Sequence, residues 1–186
     1  MDVVELHNQT IENVVRLVNE VGPDQWTAPT PCTDWNVRQL VNHIVTEERW
    51  TVPLMEGKSI ADVGDSLDGD LLGEEPVAAA TDAARAAQAA AGEPISTVHL
   101  SYGDEEAPEY LRQLSADYLV HGWDLAAAIG ADPMLDRELV DEVATWFAER
   151  EKLYRDSGAI ADRVEGFSDP ADTLIGAFGR DPHWKP

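Results

Sequence analysis

Basic residues are scarce in this sequence, and their scarcity argues against two classes of partner. The 186 residues include 13 Lys and Arg against 36 Asp and Glu, a formal net charge of −23. Proteins that bind nucleic acid or anionic membrane surfaces use clusters of Lys and Arg for the purpose. We therefore expect neither nucleic acid nor a membrane as a partner. The acidic excess favours solubility and indicates nothing further about function.

Cysteine and long apolar runs are also missing. A lone cysteine, Cys32, excludes an intramolecular disulfide and a cysteine-rich zinc site, and we expect it to be packed and inert. No apolar run reaches the roughly 18 residues of a membrane helix. The first residues lack the basic start and apolar core of a signal peptide. We expect a cytoplasmic protein with one domain over residues 1–186.

Helical periodicity is what the sequence has in abundance. Apolar residues recur at spacings of three, four and seven, which is the pattern of amphipathic helices. Ten alanines among the 14 residues 78–91 add strong helix propensity there. The pattern predicts five helices, over residues 4–21, 35–56, 78–91, 107–129 and 136–155. Thr33 or Asp34 is the predicted N-cap of the second helix.

The segments between and after these helices predict less regular structure. Residues 57–75 are rich in Gly and Asp and are expected to form an exposed connection. Alternation over Thr97–Tyr102 favours a short extended piece, and the tail is expected to be irregular from about residue 157. The predicted fold class is all-α, a four-helix bundle with a crossover connection and an additional C-terminal helix.

The fourth predicted helix carries a candidate metal-binding pair. Asp117 lies four residues before His121, so the two side chains share a helix face and can bind one ion together. A plain hydrogen-bonded pair is the alternative explanation of this spacing. His43 lies beside the apolar stripe of the second helix and joins the pair if the two helices are neighbours; a satisfied core histidine is its alternative. Three protein ligands with an open position are typical of a catalytic site.

Two carboxylates near these residues are candidates for supporting roles. Glu47, four residues after His43, is a fourth ligand, a general base or a solvated carboxylate. Asp124, three residues after His121, either orients the imidazole or bonds a nearby loop. Among the other histidines, His99 is predicted to lie in the extended piece, and His7 and His183 at the surface. Trp35 and Trp123 are expected to pack in the core.

Three motifs carry a resemblance to a known family. Pro31-Cys-Thr-Asp-Trp-Asn-Val-Arg38, Leu40-Val-Asn-His43 and Asp117-Tyr-Leu-Val-His-Gly-Trp-Asp-Leu125 together resemble the DinB/YfiT-like superfamily of metal-binding helical bundles. More narrowly, they are similar to an actinobacterial metal-binding group related to the N-terminal domain of mycothiol-dependent maleylpyruvate isomerase. The resemblance covers nearly the whole chain in helix order and implies a DinB-like four-helix bundle.

The resemblance also implies a function. It places metal ligands at His43, Asp117 and His121, with zinc as the expected ion and nickel as the alternative. It implies a transferase or isomerase that uses a mycothiol-type thiol on a small-molecule substrate. A non-catalytic metal- or ligand-binding bundle is the alternative, and a metal-assisted hydrolase with Glu47 as base is a third hypothesis. A homodimer through exposed helical faces is a further expectation.

Two departures from the isomerase bear on these expectations. The isomerase has Glu at its middle ligand, whereas this chain has the shorter Asp117. The isomerase also has a C-terminal domain that contributes to its chemistry, and the residues after Gly130 are expected to be too few for such a domain. These departures argue against isomerisation of maleylpyruvate itself.

Overall fold

The computed structural model describes residues 1–93 and 95–186, and these are mainly helical. Among them, no helix has the length and hydropathy that crossing a bilayer requires. The helices are α1 (Val3–Glu20), α2 (Val37–Met55), α3 (Ile60–Val63), α4 (Pro76–Ala91), α5 (Ala107–Ile129), α6 (Arg137–Ala148), α7 (Glu151–Asp156) and α8 (Pro170–Ala177). The strands β1 (Thr97–Leu100) and β2 (Gly103–Glu106) form an antiparallel hairpin directly before α5.

Helices α1, α2, α4 and α5 form the bundle. Helix α1 packs against α4 and α5, and α2 packs against the same two helices. Helices α1 and α2 therefore occupy opposite corners, although they follow each other in the chain. The predicted all-α, DinB-like bundle is confirmed. This arrangement makes α2 a neighbour of α5, which is the contact that the candidate site depends on.

Helix α5 is buried on almost every side because it lies between two apolar cores. One face contributes Leu111, Leu114 and Tyr118 to the bundle core. Another face contributes Leu119 and Trp123 to a second core, formed with α6 and α8. The predicted core packing of Trp123 is thus confirmed. A charged side chain on such a helix needs a partner, because burying an unpaired charge is costly.

The ends of α2 and α5 follow from local sequence. Helix α5 has the predicted bounds, with Pro108 in its first turn and a left-handed Gly130 (φ 73°) after its last residue. The predicted cap of α2 was wrong. Asn36 caps it: the Asn36 side chain accepts from the Gln39 N–H, and the Gln39 side chain accepts from the Asn36 N–H.

Two connecting segments are more ordered than predicted. The connection over residues 57–75 contains helix α3 and the buried side chain of Leu72. The extended piece is confirmed as β1, but the sequence gives no sign of its partner β2. Strand β2 has the sequence Gly-Asp-Glu-Glu, which lacks the apolar alternation that marks a half-buried strand.

The C-terminal region also departs from the prediction. The fifth predicted helix is two helices, α6 and α7, because the Arg150 N–H bonds to the Phe147 carbonyl three residues back, which tightens the chain there. The tail is not wholly irregular, since it contains α8. Its side chains Leu174 and Ile175 are buried, and Phe178 stacks on Phe147 with ring centroids 4.0 Å apart.

His7 was wrongly expected at the surface. It lies on the buried stripe of α1 with Ile11 and Val14 and is fully buried. Its ring packs at a tilt against Tyr118, with centroids 5.8 Å apart. Burial lowers the pKa of His7 to about 4, so the imidazole is uncharged at neutral pH.

Candidate metal centre

Helices α2 and α5 bring His43, Asp117 and His121 together. Nε2 of His43 lies 3.2 Å from Oδ2 of Asp117, and Nε2 of His121 lies 3.4 Å from Oδ1 of Asp117. One potential ligand atom from each of the three residues lies within 4.8 Å of the others. The structure thus places at one point the three side chains that the sequence singles out.

This donor set fits a divalent metal ion. Two imidazoles and one carboxylate are ligand types found at catalytic zinc. With ligand bonds of about 2.0–2.1 Å, the donor atoms of a tetrahedral site are about 3.4 Å apart. The two short separations, which run to different oxygens of Asp117, are of this size, and the three potential donors lie within 4.8 Å of one another. The Asp117 side chain is 33% exposed, which leaves an accessible side for a further ligand.

The three side chains also influence each other's protonation. Burial acts to raise the pKa of Asp117, but the charge of His121 and hydrogen bonds from His121 and His43 outweigh it and lower the pKa far below its ordinary value. Burial acts to lower the pKa of His121, whereas Asp117 and Asp124 raise it to about 9. Without a metal, Asp117 is therefore ionised and paired with a protonated His121 at neutral pH.

A second carboxylate fixes the far side of the His121 ring. Asp124 is fully buried, and its Oδ2 lies 3.0 Å from Nδ1 of His121. Arg180 binds the same carboxylate with Nε 3.2 Å from Oδ1 and Nη2 3.0 Å from Oδ2. Because Asp124 accepts from Arg180 on both oxygens, it also accepts from His121, which donates from Nδ1 and faces Asp117 with its Nε2. The contact with His121 is the one that an orienting role requires, and the contact with Arg180 in the tail fits the predicted alternative, so both predictions for Asp124 stay open.

Glu47 lies one turn beyond His43, outside the three-residue cluster. It lines a cavity that His43 and Asp117 also line. Burial, followed by the charge of Asp117, raises the pKa of Glu47, although the two histidines oppose the shift. Glu47 therefore takes up a proton more readily than a solvated glutamate does. Of its three predicted roles, this position suits a general base better than a solvated carboxylate.

Trp35 contacts the centre directly. Its ring stacks on His43 with centroids 4.6 Å apart and an interplanar angle of 28°, and it also lies 5.6 Å from the ring of His121. Trp35 packs partly against the bundle core, as predicted. It also covers one side of the imidazoles, which the prediction of core packing alone did not include.

A family model described as the mycothiol maleylpyruvate isomerase N-terminal domain matches residues 7–126. The chain belongs to this family. Two uncharacterized proteins of Mycobacterium tuberculosis, from strains CDC 1551 / Oshkosh and ATCC 25618 / H37Rv, are each 32% identical over 146 residues, or 76% of this chain and 75% of theirs. No solved structure gives a significant match.

The family match ends at residue 126 and so does not include Arg180. This side chain donates hydrogen bonds to both carboxylate oxygens of Asp124. Phe178 packs in the second core and stacks on Phe147. Gly179 and Arg180 follow it directly, so the Arg180 side chain reaches Asp124. Gly179 has a φ of +79°, and a Cβ there would lie 2.9 Å from Ala161. Sequence reasoning missed Arg180 because 56 residues separate it from Asp124. The one sequence signal for such a partner was Asp124 itself, an acid on a helix predicted to lie in the bundle, because a buried carboxylate needs a cationic partner.

Two cavities open next to Asp117 of the candidate metal centre. Both are lined by Gln113, Asp117 and Tyr154. The aromatic cavity has a volume of about 390 Å³ and is further lined chiefly by Trp50, Leu54, Leu100, Tyr102, Tyr110 and Leu114. The tail cavity has a volume of about 570 Å³ and is further lined chiefly by Cys32, Thr33, Asp34, Ile160, Phe178 and Arg180.

The other residues that the sequence analysis considered, Cys32, His99 and His183, are not among the three candidate metal ligands. Cys32 lines the tail cavity, and burial raises the pKa of its thiol in spite of the nearby Arg180, so the thiol stays protonated. His99 is in β1 as predicted, and its Nδ1 lies 2.7 Å from Asp104 in the same hairpin. His183 is exposed, as predicted.

Proposed function

We propose that this protein holds a divalent ion, zinc or alternatively nickel, on His43, Asp117 and His121 and uses it to add a mycothiol-type thiol to a small-molecule substrate. The observation that carries the proposal is the meeting of these three donors at the point where the two cavities open. Membership of the mycothiol maleylpyruvate isomerase N-terminal domain family supports a thiol as the second reactant.

The residues around the centre have separate roles in such a reaction. A divalent ion bound there would lower the pKa of a thiol in its open position, so that a nucleophile exists near neutral pH. Asp124 and Arg180 keep Nε2 of His121 directed at the centre. Glu47 accepts the thiol proton, because it lies in the same cavity and has a raised affinity for protons.

The proposed addition is balanced without an oxidant or reductant. The thiol sulfur supplies the electron pair of a new carbon–sulfur bond to an activated carbon–carbon double bond of the substrate. The π electrons of that bond pass to the neighbouring carbon, which receives the proton that Glu47 took from the thiol. Reversal after rotation about the resulting single bond gives isomerisation, so transfer and isomerisation share these steps.

The test is thiol consumption by the purified protein. Mycothiol and N-ethylmaleimide as a model acceptor are mixed with zinc-loaded protein, with chelator-treated protein and with Asp117→Ala protein. We expect consumption above the uncatalysed rate with the zinc-loaded wild type alone. Equal rates in all three samples contradict the proposal and, with metal bound, favour a non-catalytic metal-binding protein.

A further inference from the structure

The aromatic cavity has a buried apolar wall and an open mouth. Leu54, Tyr110 and Leu114 form the wall and are 2%, 5% and 3% exposed. Tyr102 lies at the mouth, 67% exposed, and its hydroxyl donates to Oε1 of Gln113 at 3.0 Å. The volume of about 390 Å³ is within the range of small-molecule sites, which are mainly apolar with a few polar groups.

Apart from the candidate ligand His43, the described lining of this cavity has no basic side chain. Its described lining contains Glu47 and Asp117 but neither Lys nor Arg. Outside the candidate ligands, the basic residue of the tail cavity is Arg180, and a third cavity, beside His43, is lined by Arg38; both already have acidic partners. Arg38 lies 2.8 Å from Asp70, and Arg180 is bound to Asp124.

A carboxylate on the body of a ligand, away from the centre, would therefore meet an apolar wall or the acidic Glu47. Burying a charge without a partner is strongly unfavourable, whereas an aromatic ring or aliphatic chain gains from contact with Trp50, Tyr110 and the leucines.

We propose that the aromatic cavity binds the acceptor substrate and selects an uncharged molecule with an aromatic or aliphatic body over one that carries a carboxylate on that body. This inference rests on the proposed function, because it assigns the acceptor to this cavity. The polar end of the acceptor faces Asp117 and the centre, and its apolar body faces Leu54 and Leu114.

The test compares two ligands that differ by one charge. Binding of cinnamamide and of 4-carboxycinnamamide is measured by calorimetry without thiol, on zinc-free and on zinc-loaded protein. We expect cinnamamide to bind at least about tenfold more tightly in both forms, as one uncompensated charge predicts. Equal binding, tighter binding of the carboxylate, or no binding of cinnamamide overturns the inference.

Leu100 offers a matched pair of variants because it lines the cavity and is only partly buried. Leu100→Lys supplies the missing cation and is expected to narrow the preference for cinnamamide by about tenfold or more, whereas Leu100→Met is expected to keep it. Melting curves check that both variants fold. An unchanged preference in Leu100→Lys contradicts the assignment. Because no thiol is present, failure here is separate from failure of thiol consumption.

Discussion

Replacement of Glu47 by Gln is expected to slow thiol consumption about 100-fold or more, since a positioned general base contributes about 10²–10⁴-fold. Gln cannot accept a proton, yet it has nearly the size of Glu and keeps the cavity wall. Because Glu47 lies outside the cluster of candidate ligands, zinc affinity is expected to change by less than about threefold, in contrast to the losses caused by ligand changes. Initial rates and chelator competition measure the two effects.

The pH dependence of the rate gives a second readout for Glu47. A base must be ionised to work, and the pKa of Glu47 is raised by burial and by Asp117. The rate is therefore expected to fall with acid at a pH above the ordinary 4.5 of glutamate, and this limb is expected to vanish in Glu47→Gln. The control is Glu56→Gln, at the exposed end of α2. Equal losses in both variants, or an unchanged rate in Glu47→Gln, contradict the role.

Replacement of Arg180 by Met is expected to weaken zinc binding about 10–100-fold, the usual cost of losing a group that orients a ligand. Without its partner, the buried Asp124 carries an uncompensated charge, and the His121 ring loses its fixed orientation. Arg180→Lys keeps the charge but not the two-point contact with Asp124, and an intermediate affinity is expected.

Three measurements separate this positioning role from general stability. Competition with a chromophoric chelator gives the affinity, the d–d spectrum of the cobalt-substituted protein gives the ligand geometry, and melting curves give the stability. Arg163→Met is the control, because Arg163 lies in the same tail and pairs with Glu151. Wild-type affinity and an unchanged cobalt spectrum in Arg180→Met show that Arg180 has no such role.

The parts of the fold that the sequence predicts are those encoded locally. Helix α5 has the predicted ends because Pro108 and Gly130 mark them. Asp117 and Asp124 each lie one helical turn from His121, so their contacts with it follow from spacing alone. The addition of His43 required one assumption about neighbouring helices, and the packing of α2 against α5 satisfies it.

The parts that the sequence does not predict depend on distant contacts. Arg180 reaches Asp124 because α8 and Phe178 pack in a second core, and no periodicity in the tail indicates that core. Leu100 and Tyr102 enter the aromatic cavity through a hairpin whose second strand has no apolar alternation. His7 lies on the helical stripe of α1, but its residue type suggested the surface.

The most direct test of this account is the metal content of the protein, measured by elemental mass spectrometry after reconstitution with zinc or nickel. We expect about one ion per chain in the wild type and less than about a tenth of that in His43→Ala, Asp117→Ala and His121→Ala, since each variant removes one ligand of three. Wild-type protein that retains no ion, or variants that all retain it, would contradict a metal centre at these residues.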